Sequence, residues 1–538
     1  MENYFNWLER NAELLNKPWL VLGKGPSFSK YIKSEYRDYF LVGLNDVVRE
    51  TRVDILHVMD IAVIERLGEL ALKNCKYLLI PWFPHEDYSL PFLDKTFHKA
   101  STNNLDYYVI HNSILKEFSK QNRLLWYDAS SAKECGPGPE KVVNAGPFSA
   151  ATVTRLIALS GVKKIRTLGV DGGQSYSTSF SDLEGETLLD SGQESFNLQF
   201  ADMAKTIRET NVDLAPADIE SPVKVYVGTQ PEQMLATKVL EYSIKKHASI
   251  SVEVIPLHTA IDNAKIKYRS VAGKTPFSFQ RFAIPMLKKF KGKAIYVDSD
   301  MQVFSDIREL WTWPMKDSQI LAVHERTDDR KEPQFSVMVL NCEQLDWDVD
   351  KICEKIENCQ VTYEDIVYKM SLVDRISYGL PTRWNDLEHY KNGVTSLIHY
   401  TDMVLQPWIT TNNKLARIWC EELIDAVAEG FIALDDIKEQ IGKGWVRPSL
   451  QYQIENNIAD PQLIPKKILK KLDANYVPPF HLIKSLRSIV ENPNQLSLAQ
   501  KLKLWSYARL YNLWVESSAQ YFYKKLRKTC KKVKIAIS

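Results

Sequence analysis

Apolar residues fall into short bursts separated by longer amphipathic stretches. WLVLG (19–23), YFLVGLND (39–46), DILHVMD (54–60), KYLLIPW (76–82), YYVIH (107–111) and KIRTLGVDGG (164–173) each have the length of a strand. Helix-length segments lie between them, and this alternation predicts a mostly parallel sheet covered on both faces. At LAPADIESPVK (214–224) the pattern lapses, and a fresh strand, KVYVGT (224–229), opens a second alternating block. That block contains VEVIPL (252–257), a predicted helix over FQRFAIPMLKKF (279–290), and the strands KAIYVDSD (293–300), ILAVHE (320–325) and FSVMVLN (335–341). Beyond about residue 430 strand-like bursts fade and Lys, Leu, Trp and Tyr recur at helical spacing. The expected fold is α/β: two Rossmann-like modules, residues 1–218 and 219–430, followed by a helical basic extension over 431–538.

Composition sets limits on this picture. The 538 residues exceed what one core holds, at roughly 150 residues per domain. A hydrophobic share of 45% and a net charge of +2 exclude a disordered chain and a uniformly basic nucleic-acid coat. The seven cysteines form no CxxC pair, so neither a zinc ribbon nor a disulfide framework is indicated. The start of the chain lacks a basic region followed by an apolar run, and no stretch reaches the ~20 apolar residues of a membrane span. The expected location is the cytoplasm. A peripheral position on the inner face of the cytoplasmic membrane fits the tail, where residues 501–534 carry ten Lys/Arg against the single acid Glu516. Leu504, Tyr507, Tyr511 and Trp514 share a helical stripe there. An anionic membrane surface suits such a segment; the alternative is a solvated basic end packed on the body. Nucleic acid is not an expected partner.

Two segments carry candidate chemistry. Gly23-Lys24-Gly25-Pro26-Ser27 leaves a buried strand and turns into a helix start, where backbone N–H groups suit an anion. Asn45 follows the next strand and Asp171 a later one, and in an open α/β sheet these strand ends converge. The G-x-G-P-S turn, the Asn and the G-[IV]-D strand resemble the bacterial sialyltransferases of glycosyltransferase family 42 and the related motility accessory factors. The resemblance spans about residues 15–215. It implies a nucleotide or nucleotide-sugar pocket lined by Gly23, Gly25, Ser27, Asn45 and Asp171. Those sialyltransferases use a histidine downstream of the G-[IV]-D strand, and none occurs here between Asp171 and Lys224.

In the second block, Asp298-Ser299-Asp300 ends a continuously apolar strand. Two carboxylates one residue apart point the same way and can share a hard cation, Mn²⁺ or Mg²⁺, whereas a solvated turn would leave them separate. YVDSDMQVFSDIRELW, the VYVGT strand, the Arg281 helix and the run from Ile398-His399-Tyr400 to Gln406-Pro407-Trp408 resemble glycosyltransferase family 8 over residues 223–410. The resemblance implies a metal site of Asp298, Asp300 and His399, with Asp298 on the nucleotide as well and Arg281 supporting the phosphates. It further implies retaining transfer from a nucleoside diphosphate sugar to a glycan, lipid-linked or protein acceptor, UDP being the favoured nucleotide. Glu364 or Asp365 would face the sugar as catalytic carboxylate. Gln406 stands where the family has lysine, and Ser336 where it has asparagine. A non-catalytic nucleotide- or glycan-binding protein built from degenerate transferase folds is the alternative.

Overall fold

The computed structural model describes residues 1–477 except 91–94, 133, 138–140, 145, 184–194, 267–276 and 324–334. The basic tail therefore lies outside the described residues. Contacts divide the chain into two compact units. The first is Met1–Lys224 with Lys245–Glu253 and Asp306–Thr312; the second comprises the remainder.

The first unit contains the strands β1 (Glu2–Asn3), β2 (Trp19–Leu22), β3 (Phe40–Leu44), β4 (Val53–His57), β5 (Cys75–Pro81), β6 (His85–Leu90), β7 (Lys95–Ala100), β8 (Leu124–Ala129), β9 (Val142–Val143), β10 (Lys164–Leu168) and β11 (Asp213–Pro216). Nine of them form one sheet in the order β1-β8-β5-β4-β3-β2-β10-β11, with β9 beside β8. Every pairing in it is parallel. The β2 sequence shows why: Trp19 and Val21 join the core on one face while Leu20 and Leu22 join the core on the other. A strand buried on both faces needs no polar alternation, which is why these strands read as apolar bursts. Chain order reverses between β2 and β10, and a crevice opens beyond their C-terminal ends.

One expectation is corrected here. YYVIH is not a strand: Leu105–His111 is a helix, whose Asn104 side chain accepts the Tyr107 N–H. The cap, three residues before the apolar run, decides the conformation over the β propensity of Tyr, Val and Ile.

The second unit holds the sheet β13-β12-β14-β17-β16-β18, built from β12 (Val223–Gly228), β13 (Val252–Pro256), β14 (Lys293–Asp298), β16 (Ile320–Val323), β17 (Val337–Asn341) and β18 (Ile376–Leu380). A small sheet of β15 (Met301–Val303), β20 (Leu397–His399) and β19 (Asp386–Leu387) continues from the end of β14. The helix expected over 279–290 is divided into Phe277–Gln280, a 3₁₀ turn Arg281–Ala283 and Ile284–Leu287, with Pro285 in its last piece. The helices Leu434–Gly442 and Ser449–Glu455 lend Ile437 and Leu450 to a core shared with Leu235, Tyr400, Trp408 and Trp419.

His57, at the C-terminal end of β4, is fully buried, with Nε2 3.0 Å from the Tyr127 hydroxyl. Burial, assisted by His85, lowers its pKa to about 3. The unfolded chain therefore binds a proton that the folded ring refuses, and stability drains as pH falls below about 6.5 toward 3. In denaturant titrations at stepped pH, the stability advantage of the parent over His57→Gln should shrink by about 1.4 kcal/mol per unit between roughly pH 5.5 and 4.

Candidate metal centre

The centre is assembled by strand pairing. β14 runs parallel to β12 with Gly228 opposite Asp298, and the Ser299 N–H donates to Gly228 O at 3.1 Å. After a turn, β15 runs antiparallel to β20 with Met301 opposite His399. The Tyr400 N–H donates to Asp300 O at 2.8 Å, extending that ladder by one step. Residues about a hundred positions apart thus become neighbours. One ligand atom from each of Asp298, Asp300 and His399 lies within 4.8 Å of the others.

Each of the three is held from behind. The Tyr296 hydroxyl donates to Asp298 Oδ1 at 2.5 Å, and Arg281 Nη2 lies 3.5 Å from the same oxygen. Gln406 Nε2 donates to Asp300 Oδ2 at 3.0 Å, and His399 Nδ1 donates to Asn385 Oδ1 at 3.0 Å. His399 Nε2 faces Asp300 Oδ1 at 3.2 Å. Burial weighs against a charged His399, but Asp300, with Asp298 and Glu388, outweighs it and raises the ring's pKa. Two carboxylates and an imidazole converging in this way suit a borderline or hard divalent cation, so the residues present fit Mn²⁺ or Mg²⁺.

Arg281 is buried, stacked 4.6 Å over the Tyr296 ring, and donates to Phe335 O at 2.6 Å. Glu364 and Asp365 lie in the first turn of the helix Tyr363–Val367. Asp365 forms a capping box with Thr362 and an ion pair with Lys369 at 2.8 Å, and these bonds hold its carboxyl down to about 2. Its oxygens are committed to its own helix; Glu364 is exposed.

The remaining expected residues are in the first unit, around a cavity of about 210 Å³ at the β2/β10 crevice. Gly23, Gly25, Asn45 and Asp171 line it; Ser27 is not among the lining residues. Backbone contact is close here: the Gly23 N–H donates to Leu168 O at 2.7 Å, and a Cβ on Gly23 would sit 2.2 Å from Gly169 O. Pro26–Lys30 is a five-residue 3₁₀ turn whose Ser27 N–H is already taken by Asp171 Oδ2 at 2.7 Å. The Ser27 hydroxyl accepts the Gly169 N–H, locking the two loops together. Lys24 and Arg66 also line the cavity, and both pair with buried Asp46, at 3.5 and 2.8 Å. Sequence reasoning passed over this trio, although a lysine between the two glycines was its visible sign. It also passed over Asn385, Tyr296 and the Gln406 contact.

Residues 191–363 match the family model Glycosyl transferase family 8. Asp298 and Asp300 fall inside that match; His399 joins them through the fold. "Protein CDI" of Arabidopsis thaliana is 37% identical over 94 residues, which is 17% of this chain and 36% of that protein. The chain thus spans about a third of the length of that curated relative. Among solved structures, the glycosyltransferase GlyE of Streptococcus pneumoniae TIGR4 aligns at 16% identity with a TM-score of 0.29, over 39% of this chain and 64% of that one. The apo structure of the bifunctional glycosyltransferase WbbM aligns at 12% identity and TM-score 0.29, over 76% and 97%. Among the described residues no helix is long and apolar enough to cross a membrane.

A Cβ on Gly228 would lie 2.3 Å from the Tyr296 hydroxyl, so only glycine leaves room for the Tyr296–Asp298 bond. Gly228→Ala should cost about 1–3 kcal/mol of stability by denaturant titration. In a Tyr296→Phe background the clash is relieved and the cost should fall, so a double-mutant cycle reads the coupling directly.

Proposed function

We propose that this chain is a metal-dependent glycosyltransferase that moves a sugar from a nucleoside diphosphate donor to a glycan, lipid-linked or protein acceptor. The observation that carries the reading is the convergence of Asp298, Asp300 and His399 on one point, within and just beyond a segment matching Glycosyl transferase family 8. A divalent cation held there, Mn²⁺ or Mg²⁺, would neutralise the diphosphate as it leaves.

The chain's own groups divide the work. Asp298 and Asp300 would supply carboxylate oxygens and His399 the Nε2 nitrogen to the cation, and Asp298 would also meet the nucleotide. Arg281, buried and already bonded to Phe335 O, adds its charge to the phosphate region through the field rather than by contact. Glu364 or Asp365 on the Tyr363 helix is the carboxylate proposed for the sugar's reacting face; Asp365 also serves as that helix's cap. Retention, a UDP donor and a role in bacterial surface-glycan synthesis are part of the proposal, supported by the family resemblance alone. In the first unit, the cavity lined by Gly23, Gly25, Asn45 and Asp171 is the proposed site for a second nucleotide or nucleotide-sugar, supported by its place at the strand-order reversal. Residues 501–534 are proposed to contact an anionic membrane surface.

A binding protein without turnover is the rival reading, favoured by the capping role of Asp365. A panel of UDP-, GDP- and CMP-sugars, assayed for Mn²⁺-dependent donor hydrolysis, separates the two. Turnover of a diphosphate donor that falls roughly 100-fold or more in Asp300→Asn is the expected result. Donor binding with no turnover, or an unaffected variant, would refute the transferase reading.

A further inference from the structure

We infer that Asn385 and Gln406 are positioning residues that set the affinity of the metal centre by fixing which atoms of His399 and Asp300 meet the cation. This rests on the proposed divalent-cation site. Neither residue offers a charge or a ligand of its own; each acts through a hydrogen bond on the far side of a ligand.

Asn385 closes the 3₁₀ turn Thr382–Asn385, immediately before β19. β19 runs parallel to β20 with Leu387 opposite His399, and the Glu388 N–H donates to His399 O at 3.1 Å. Asn385 is thereby held beside the imidazole. Its Oδ1 can only accept, so at 3.0 Å it requires the proton on His399 Nδ1. The lone pair is left on Nε2, the nitrogen that faces Asp300 Oδ1 at 3.2 Å. A cation needs that tautomer, and the hydrogen bond to Asn385 keeps the ring's remaining proton on Nδ1.

Gln406 is fully buried and spends its amide group on two acceptors, Asp300 Oδ2 at 3.0 Å and Tyr400 O at 3.1 Å. Turning the amide over would set its oxygen against both, so the orientation is fixed. Asp300 is pinned through Oδ2, which leaves Oδ1 toward His399. The position that reads in sequence as a lost positive charge has become a rigid neutral donor. A lysine there would bring a cation to the carboxylate; glutamine orients the same carboxylate and leaves its full charge to the metal.

The test is Mn²⁺ titration of the full chain, followed by the electron paramagnetic resonance signal of free Mn²⁺, with thermal melts in EDTA to check the fold. Asn385→Leu and Gln406→Met should each raise the Mn²⁺ dissociation constant about 10- to 100-fold. Asn385→Asp keeps the acceptor and should bind at least as tightly as the parent, which a packing role alone does not predict. If an apolar variant does not fold, Asn385→Asp and Gln406→Asn decide instead: the first keeps its affinity, and the second, too short to reach Asp300, loses it. Parent-like affinity in Asn385→Leu and Gln406→Met, or in Gln406→Asn, overturns the inference while leaving the metal site standing. So does an Asn385→Asp chain that binds less tightly than the parent. No Mn²⁺ binding by the parent overturns the metal reading, and this inference with it.

Discussion

The second unit's site depends on one backbone contact, the Tyr400 N–H donating to Asp300 O at the open end of the β15–β20 ladder. Side chains alternate along a strand, so a slip of one residue in that pairing would turn His399 away from the carboxylates. The ladder is short, and its register is held by what surrounds it. Val303 donates its N–H to the Ser243 hydroxyl, Ile398 and Tyr400 are buried in the core with Trp408 and Trp419, and the Tyr400 hydroxyl donates to Gln302. The helical residues beyond 430 contribute Ile437, Val446 and Leu450 to that core. They act on the site indirectly, by packing behind the strand that carries His399.

Bringing two carboxylates together in a half-closed site is electrostatically unfavourable unless donors meet them. The fold supplies several: the Tyr296 hydroxyl and Arg281 at Asp298, and Gln406 at Asp300. Tyr296 and Arg281 are themselves coupled. Burial opposes the Arg281 charge, and the Asp298 carboxylate 3.5 Å away supports it. Burial, against the pull of Arg281, keeps the Tyr296 hydroxyl protonated and so able to donate. Gly228 then appears as part of the same arrangement: its missing side chain is the space that the Tyr296 hydroxyl occupies.

The parts of this site that were legible in the sequence were those written locally. Asp298 and Asp300 stand at the end of an apolar strand, and spacing alone aligns them. His399 needed the resemblance, since nothing near it in sequence says which strand it will pair with. Asn385 had no local signature, because its role arises from the parallel pairing of β19 with β20. Gln406 was visible only as a missing charge; its donor role depends on where Asp300 points. The alternating bursts located β2 to β5 and β10 in the first sheet and β12, β13, β14, β16 and β17 in the second, but they missed β8, β11 and β18, and failed at Tyr107–His111, where a side-chain cap outweighed propensity. The loop at Gly23–Ser27 was legible as a tight turn, but Ser27's partners come from residues about 140 positions away.

The first unit's cavity follows a different electrostatic plan. Lys24 and Arg66 both lie on Asp46, while Asp60 and Asp171 line the same space, so the charges largely balance within the protein. Burial lowers the Lys24 pKa, with Asp46 opposing, so its charge is maintained by a neighbour rather than by water. Beside these charges stand neutral groups: Asn45 Oδ1, buried without a partner, and Gln199, which lines the cavity at 5% exposure. Around them stand Phe148, Tyr176 and Phe196. Hydrogen-bonding edges between aromatic walls discriminate by shape and donor pattern, whereas the carboxylates of the second unit discriminate by charge. The two candidate sites therefore differ in kind: the first surrounds its space with paired charges, amides and aromatic rings, and the second converges two carboxylates and an imidazole.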